Sequence, residues 1–424
     1  MVREELLHFI WKQRLYANRP LQTQCGLELE VIKTGEPNPH AGPDFFNARI
    51  KMGHMVWVGN VEIHLSGSDW YRHGHHKDPA YDNVILHAVH TFDQGIRNSR
   101  ERPIPTLVLD YPDSLESRIA ELQNNKDWLP CGSLIIALPE GQVERLFEKL
   151  ESERMIQKTN QISDLLLHHG NNRDEALYMA FASGFGLPIN CLPFEMLAKS
   201  VPFSLLLEHR ADLSTLEAIL FGQSGMLHSI IHPGHYIRSL LEKHEMLKRE
   251  FSDESLAPHL WKFLRLRPAS FPTLRLSQFA SLVHLYFPMT DILSSLNSLT
   301  EIEQLLRLKA SEYWTTHYTF GKSSPPAIKM MGSQSAQCLI INTIIPFLSA
   351  TVQLNKRDKE TFCAREILFG LQPESNSIIK NWSLLGIKPN NAFESQALIH
   401  LYKNYCIQKR CLECRVSAGF FGRP

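Results

Sequence analysis

The sequence predicts an α+β protein in which a small mixed α/β domain precedes a larger, mostly helical one. Residues 1–130 contain strand-like alternation and short apolar runs. From residue 138 onward, apolar residues recur every three or four positions and are interrupted by Gly and Pro, which is typical of helices. A length of 424 residues fits two or three domains of ordinary size. We therefore expect domains at 1–130 and 131–424.

The composition is that of a folded protein without an overall charge bias. Apolar residues make up 43% of the chain, and 44 basic residues balance 44 acidic ones, so any nucleic-acid or membrane interaction must depend on local patches. No run approaches the ~18 apolar residues of a membrane span, and the N-terminus lacks a secretion signal. Eight cysteines in such a chain favour a reducing compartment, so we expect a cytoplasmic protein.

The first domain is expected to contain a helix, three strands, a polar connecting segment and further strands. Apolar spacing predicts the helix, alternation predicts the first strands, and Gly53-His54 suits a hairpin turn between the second and third strands. The expected elements are a helix at 3–17 and strands at 27–33, 44–52, 55–65, 84–89 and 106–111.

An acidic pair is predicted on the hairpin. A turn at Gly53-His54 sets Asp44 opposite Ile63, and therefore close to Glu62, although a bulge at Gly59-Asn60 would re-aim the side chains. Two carboxylates at this distance repel unless one is protonated or a cation lies between them, and Mg²⁺ or Mn²⁺ suits such a pair. Alternatively, Glu62 faces solvent on an edge strand and Asp44 only ends a turn.

His64 lies two residues beyond Glu62, on the same face of the predicted strand. From this position it could orient or deprotonate a water molecule that attacks a substrate. Asp44, Glu62 and His64 are therefore the predicted catalytic group.

The element order and the pattern Pro43-Asp44 followed by Glu62-Ile63-His64 resemble the PD-(D/E)xK nuclease superfamily. The resemblance implies a restriction-endonuclease-like core in αβββαβ order, with Asp44 and Glu62 binding Mg²⁺ and the last motif residue assisting the water. That residue is Lys in the superfamily and His64 here. The resemblance also implies an acid on the first helix, Glu4 or Glu5, and a Gln-x-x-x-Tyr motif on the later helix. Lys77-Asp78-Pro79-Ala80-Tyr81 has this spacing, with Lys in place of Gln, and a core position for Tyr81 is the alternative.

Nearly the whole chain also resembles a bacterial family named domain of unknown function 2851. The stretches that carry this resemblance are GPDFFNARI, GNVEIH, SDWYRHGHHKDPAYDNVILH, LRLRPASFPTLRL and YCIQKRCLEC. The name implies no activity.

A histidine-rich segment, HGHHKD at 73–78, is a second candidate site. It resembles the clustered metal ligands of zinc hydrolases, with a different order of His and Asp. His73, His75, His76 and Lys77 are also suited to contact substrate phosphates from a surface loop, or to support the Glu62 site. His87 and His90 are expected on opposite faces of their strand, so they cannot share one site.

The C-terminus carries a cysteine cluster, Cys406, Cys411 and Cys414, at C-x4-C-x2-C spacing. Such spacing in a reducing compartment favours a metal, either zinc or an iron–sulfur cluster. A fourth ligand is needed, and Cys131 is the first candidate, ahead of Cys191, with water or His400 also open. Unligated buried thiols are the alternative.

Basic and aromatic residues alternate in WKFLRLRPASFPTLRL at 261–276, and Arg265 and Arg267 are candidates for contacting a phosphate backbone. Packing of the aromatic residues in a core is the alternative. Taken together, the sequence favours a metal-dependent nuclease acting on DNA or RNA. A non-cleaving binding module on the same fold and a zinc-dependent hydrolase are the alternatives.

Overall fold

The computed structural model describes residues 4–16, 20–38, 41–112, 115–117, 127–186, 188–228, 230, 232–251, 254–296, 298–354, 364–414 and 416. The chain forms two compact units, one of Met1–Leu146 with His400–Pro424 and one of Phe147–Ile399. This division differs from the predicted boundary at residue 130, because residues 131–146 and the C-terminal segment pack within the first unit. The architecture is mixed α+β, as the sequence predicts.

In its described residues, the first unit contains a seven-stranded mixed sheet, a separate two-stranded antiparallel sheet and a few short helices. Its elements are α1 (Glu4–Gln13), β1 (Leu21–Gln22), β2 (Glu28–Lys33), β3 (Glu36–Pro37), β4 (Phe45–Met52), β5 (Met55–Ser66), α2 (Asp69–Arg72), β6 (Val84–Thr91), β7 (Ile96–Arg97), β8 (Pro103–Ile104), β9 (Thr106–Val108) and α3 (Gly132–Ile136). Two 3₁₀ turns, His75–Lys77 and Pro79–Tyr81, lie between α2 and β6.

The sheet runs in the order β1-β2-β4-β5-β6-β9, with β3 paired to β4. Strands β2, β4 and β5 form an antiparallel meander, whereas β5, β6 and β9 are parallel. The parallel pairs need crossover connections, and α2 with the two 3₁₀ turns supplies the one from β5 to β6. The predicted hairpin is confirmed, since Met52 pairs with Met55 across Gly53-His54.

Alternation along β5 separates the core from the polar face. Val61 and Ile63 belong to the main hydrophobic cluster, together with Ile10 and Trp11 of α1. Glu62 and His64 point to the opposite face of the sheet. A smaller cluster, which includes Trp70 and Tyr81, lies apart from the main one. The polar residues of β5 are thus held by a strand whose other face is anchored in the core.

Where the structure describes it, the second unit is helical, as predicted, apart from a small hairpin of β10 (His317–Thr319) and β11 (Lys322–Ser323). Its helices are α4 (Glu140–His168), which begins in the first unit, α5 (Arg173–Gly186), α6 (Cys191–Ser200), α7 (Phe203–Glu208), α8 (Leu213–Gln223), α9 (His235–Leu247), α10 (Pro272–Tyr286), α11 (Thr290–Ser295), α12 (Leu299–Leu305), α13 (Ser333–Leu339), α14 (Ile345–Leu354), α15 (Ala364–Gly370), α16 (Ser377–Leu384) and α17 (Ala392–Leu401), which ends in the first unit. None of the helices in the described ranges is long and apolar enough to cross a membrane.

Trp11 anchors α1 in the core of the first unit. Its side chain is fully buried, and its Nε1 donates a hydrogen bond of 2.9 Å to the Thr34 carbonyl. We predict that Trp11→Ala lowers the free energy of unfolding by about 3–5 kcal/mol, because it leaves a large cavity and an unpaired carbonyl. Urea denaturation measures this loss.

Trp57 provides the matched control, since it is the same residue type in the same unit but 45% exposed. Trp57→Ala is expected to change the free energy of unfolding by no more than about 0.5 kcal/mol. Equal losses in the two variants would contradict the placement of α1 in the core.

Candidate functional site

A bulge in β4 sets the register that brings the two acids together. Ala48 pairs with Gly59, but Phe45 pairs with Val61, so β4 has one residue more than β5 in this interval. Asn47 adopts a φ of 55° within the bulge, a conformation that Asn tolerates better than most residues. The sequence allowed a bulge at Gly59-Asn60. The register shift falls opposite these residues, and the extra residue belongs to the partner strand β4.

Asp44 and Glu62 lie directly beside each other as a result. The Asp44 backbone N–H donates to Glu62 Oε2 at 3.1 Å, and the Ile63 N–H donates to Asp44 Oδ2 at 2.9 Å. Glu62 is only 4% exposed, so it does not face solvent on an edge strand. The structure therefore agrees with the predicted convergence of the two carboxylates.

Helix α1 contributes further polar groups to Asp44. His8 Nε2 lies 3.2 Å from Asp44 Oδ2, and Glu4, His8 and Asp44 place ligand atoms within 4.8 Å of one another. Of the two acids named on the first helix, Glu4 belongs to this group, whereas Glu5 is exposed and lies outside it. His8 was missed, although its i, i+4 spacing from Glu4 places both on one helix face.

Two imidazoles contact Glu62 on its other side, and further aromatic rings pack against them. His75 Nε2 and His64 Nε2 lie 3.3 Å and 3.5 Å from Glu62 Oε1. His64, His73 and His75 place ligand atoms within 4.8 Å of one another, so the strand histidine joins two histidines of the predicted polar segment. Tyr81 stacks on His75 at a centroid distance of 3.8 Å.

The imidazoles form a hydrogen-bonded series. His87 Nε2 and His64 Nδ1 share a hydrogen bond of 2.9 Å, and His64 Nε2 and His73 Nδ1 share one of 3.2 Å. His87 and His64 are buried, whereas His73 is exposed. His90 instead contacts the Tyr111 hydroxyl at 3.4 Å. His87 and His90 thus contact different groups, in agreement with the expectation that they lie on opposite faces of their strand.

Burial determines the charge of these histidines. It lowers the pKa of His64 to about 2, and the nearby imidazoles of His87, His75 and His73 add to the effect. Burial likewise lowers the pKa of His87 to about 3. Both rings are therefore neutral at physiological pH. The predicted role of His64 as the base is not favoured, because a group with so low a pKa accepts a proton poorly.

The acids and Tyr81 respond to the same low-dielectric surroundings. Burial raises the pKa of Glu62, which the hydrogen bond from His75 partly offsets and the Asp44 charge increases. Burial and Asp44 also raise the pKa of Glu4. Burial would lower the pKa of His8, but contact with Asp44 outweighs this and raises it. Tyr81 has a pKa raised to about 12, first by burial and then by Glu62 and Asp44.

These pKa shifts show that the surroundings disfavour the ionised forms of Glu4 and Glu62. Negative charge is costly at Glu4 and Glu62 because they are close to Asp44 and partly removed from water. A divalent cation would relieve this cost. The carboxylates and neutral imidazoles offer it oxygen and nitrogen ligands.

The other residues predicted for substrate contact lie outside this group. Lys77 is exposed next to the cluster in sequence, and His76 packs against Tyr71. In the helical unit, Arg265 and Arg267 are exposed, whereas the neighbouring Arg275 is 8% exposed and bonds Gln278. The four cysteines at 131, 406, 411 and 414 all belong to the first unit.

The chain belongs to the family described as "Protein of unknown function (DUF2851)", whose model matches residues 4–377. This confirms the family resemblance read from the sequence. Comparisons with curated proteins and with solved structures found no match. The family description assigns no activity, so function has to be argued from the geometry.

We predict that stability falls when the pH is lowered from 7 to 5. His64 and His87 stay neutral in the fold but bind protons when unfolded, so their contribution is complete above about pH 6.5 and is lost as the pH falls toward their folded values. Each imidazole contributes up to about 1.4 kcal/mol per pH unit. Urea denaturation at the two pH values measures the slope.

The variant His87→Leu should reduce this slope by the equivalent of about one proton. Only His64 then remains as an imidazole that takes up its proton on unfolding. His54→Gln, at the exposed hairpin turn, should leave it unchanged. Imidazole NMR signals of His64 or His87 that titrate near pH 6.5 would contradict the prediction.

Proposed function

We propose that this protein is a metal-dependent nuclease that hydrolyses phosphodiester bonds in DNA or RNA. The observation that supports this best is the reciprocal placement of Asp44 and Glu62, each hydrogen-bonded to the other's strand. Ligand groups flank both acids, with Glu4 and His8 beside Asp44 and two imidazoles, His64 and His75, beside Glu62. Paired carboxylates with such neighbours are suited to hold one or two divalent cations.

The element order supports the phosphodiesterase assignment. Helix α1, the antiparallel meander β2-β4-β5, the helical connection and the parallel strand β6 follow the αβββαβ order that the resemblance to PD-(D/E)xK nucleases implies. Asp44 precedes the middle strand of the meander and Glu62 lies on the last. We therefore propose a restriction-endonuclease-like core, with the acids in the motif positions.

In this proposal the metal polarises the phosphate and lowers the pKa of a bound water molecule. Asp44 and Glu62 hold the metal, and Glu4 and His8 orient the Asp44 side of the site. His64 orients its neighbours, because its two nitrogens contact His87 and His73 and its pKa is about 2. Tyr81 fixes His75 by stacking on it.

The imidazoles favour manganese over magnesium. Mg²⁺ prefers oxygen ligands and retains water, whereas Mn²⁺ and Zn²⁺ also accept imidazole nitrogen. His75 is the imidazole nearest to Glu62, at 3.3 Å. We therefore propose that Mn²⁺ supports the reaction better than Mg²⁺.

A second function, a zinc-dependent hydrolase, is favoured by one specific observation. His64, His73 and His75 place three imidazole nitrogens within 4.8 Å of one another, without a contribution from the acids. Three histidines with an open fourth position are a common arrangement at catalytic zinc. This alternative requires zinc and His73, whereas the nuclease proposal depends on Asp44.

Substrate binding requires positive charge, and several exposed groups could supply it. Lys77 follows the histidine segment, and Arg265 and Arg267 form an exposed basic stretch in the helical unit. Contacts between such residues and phosphates weaken steeply with salt. Binding that is insensitive to Arg265→Ala with Arg267→Ala would remove this stretch from the proposal.

We predict that Asp44→Asn and Glu62→Gln each reduce cleavage at least about 100-fold, because each removes a metal ligand. Mixed single- and double-stranded DNA and RNA, supplied with Mg²⁺, Mn²⁺ or Zn²⁺ in turn, form the substrate panel. Glu5→Gln is the control, since Glu5 is an exposed acid on α1 outside the metal-binding groups. It should cleave as the parent does.

The results separate the alternatives. Zinc-dependent hydrolysis that survives Asp44→Asn but is lost in His73→Asn indicates the zinc hydrolase. Tight, salt-sensitive binding with intact substrate in every metal indicates a non-cleaving module. Either result would reject the nuclease proposal.

A further inference from the structure

The C-terminal cysteines lie on consecutive tight turns. The Lys409 N–H donates to the Cys406 carbonyl at 3.1 Å, and the Cys414 N–H donates to the Cys411 carbonyl at 3.2 Å. Lys409 has a φ of 52°, which reverses the chain between Cys406 and Cys411. A turn that joins two cysteines at C-x2-C spacing is the usual half of a thiolate metal site. The backbone therefore already presents three thiols from one short segment.

Cys131 belongs to the same unit although it lies far away in sequence. Cys131 and Leu412 both pack against the main hydrophobic cluster of the first unit. Three residues before Cys131, Trp128 stacks on Tyr402 with ring centroids 4.6 Å apart. The segment ending at Cys131 is therefore held beside the segment that begins the cysteine turns.

We propose that Cys131, Cys406, Cys411 and Cys414 together bind a metal centre through four thiolates. Zinc and a [4Fe–4S] cluster are both held by four cysteines. Over the described residues, no three of these sulfurs lie within 4.8 Å of one another, so a single ion requires the turns to close toward Cys131. Within the first unit, the centre would tie the C-terminal cysteine turns to the segment that contains Cys131.

The other candidates for a fourth ligand have different partners. Cys191 contacts Ser183 and Glu195 within the helical unit, at 3.0 and 3.2 Å. The His400 Nδ1 contacts the Asn404 side chain at 2.8 Å. Cys131 instead lies in the segment held beside the cysteine turns by the Trp128–Tyr402 stack, and it packs against the same cluster as Leu412, which is why it completes the set.

The test is the metal content of the full chain purified without oxygen. We expect one zinc, or about four irons and four sulfides with a brown colour, per chain. Cys411→Ser and Cys131→Ser should each lose this metal. Cys25→Ser is the control, since Cys25 is an exposed cysteine of the same unit that contacts Thr23, and it should retain the metal.

Thiol alkylation followed by mass spectrometry tests the proposal without substitutions that could prevent folding. The four cysteines should be protected together in the purified protein and become reactive together after chelation, while Cys25 reacts in both states. Zinc or iron content decides which metal is bound. Absence of both metals from the purified chain, retention of metal in Cys131→Ser, or alkylation unaffected by chelation would each overturn the four-cysteine site.

Discussion

The pairing of β4 with β5 is the constraint on which the proposed site depends. A single extra residue in β4 shifts the register between Ala48 and Phe45, and this shift places Asp44 opposite Glu62. The two side chains then bond to the backbone of the opposite strand. Strand side chains alternate with a period of two. The extra residue in β4 therefore changes the side on which Asp44 lies, while Val61 and Ile63 of β5 stay on the core face.

The same arrangement produces an electrostatic cost. Glu62, His64 and His87 are nearly excluded from water. Burial therefore disfavours the ionised form of the Glu62 carboxyl and keeps the two imidazoles neutral. Buried ionisable groups of this kind reduce stability unless a partner compensates them. A bound cation would compensate the acids and use the neutral nitrogens as ligands. Under the proposed function, stability and metal binding would therefore be coupled at this one place in the fold.

Much of the fold could be predicted from the sequence, because it depends on local patterns. Helical spacing identified α1, alternation identified β2 and β5, and Gly53-His54 identified the hairpin. The convergence of Asp44 and Glu62 followed from that turn. The strand that carries the extra residue did not follow, since residues on both strands suit a bulge and the observed one uses Asn47 at a positive φ.

Other features required the three-dimensional structure. His8 and Glu4 share a helix face, but only the packing of α1 decides that Glu4 rather than Glu5 reaches Asp44. The low pKa of His64 depends first on its burial and then on His87 and His75, which lie on other elements. The domain boundary at residue 130 was reasonable from the change of periodicity. Composition, however, does not reveal that the chain returns to its first unit after residue 399.

That return has a consequence for the order in which the protein is made. Met1–Leu146 emerges from the ribosome well before His400–Pro424, because the whole of Phe147–Ile399 is synthesised between them. Since domains generally fold as they emerge, the helical unit is synthesised and able to fold while its predecessor still lacks a segment. The α/β unit is then the first to begin and the last to be completed. A chain stalled or truncated before residue 400 would expose the surface that Leu412 covers to chaperones and proteases.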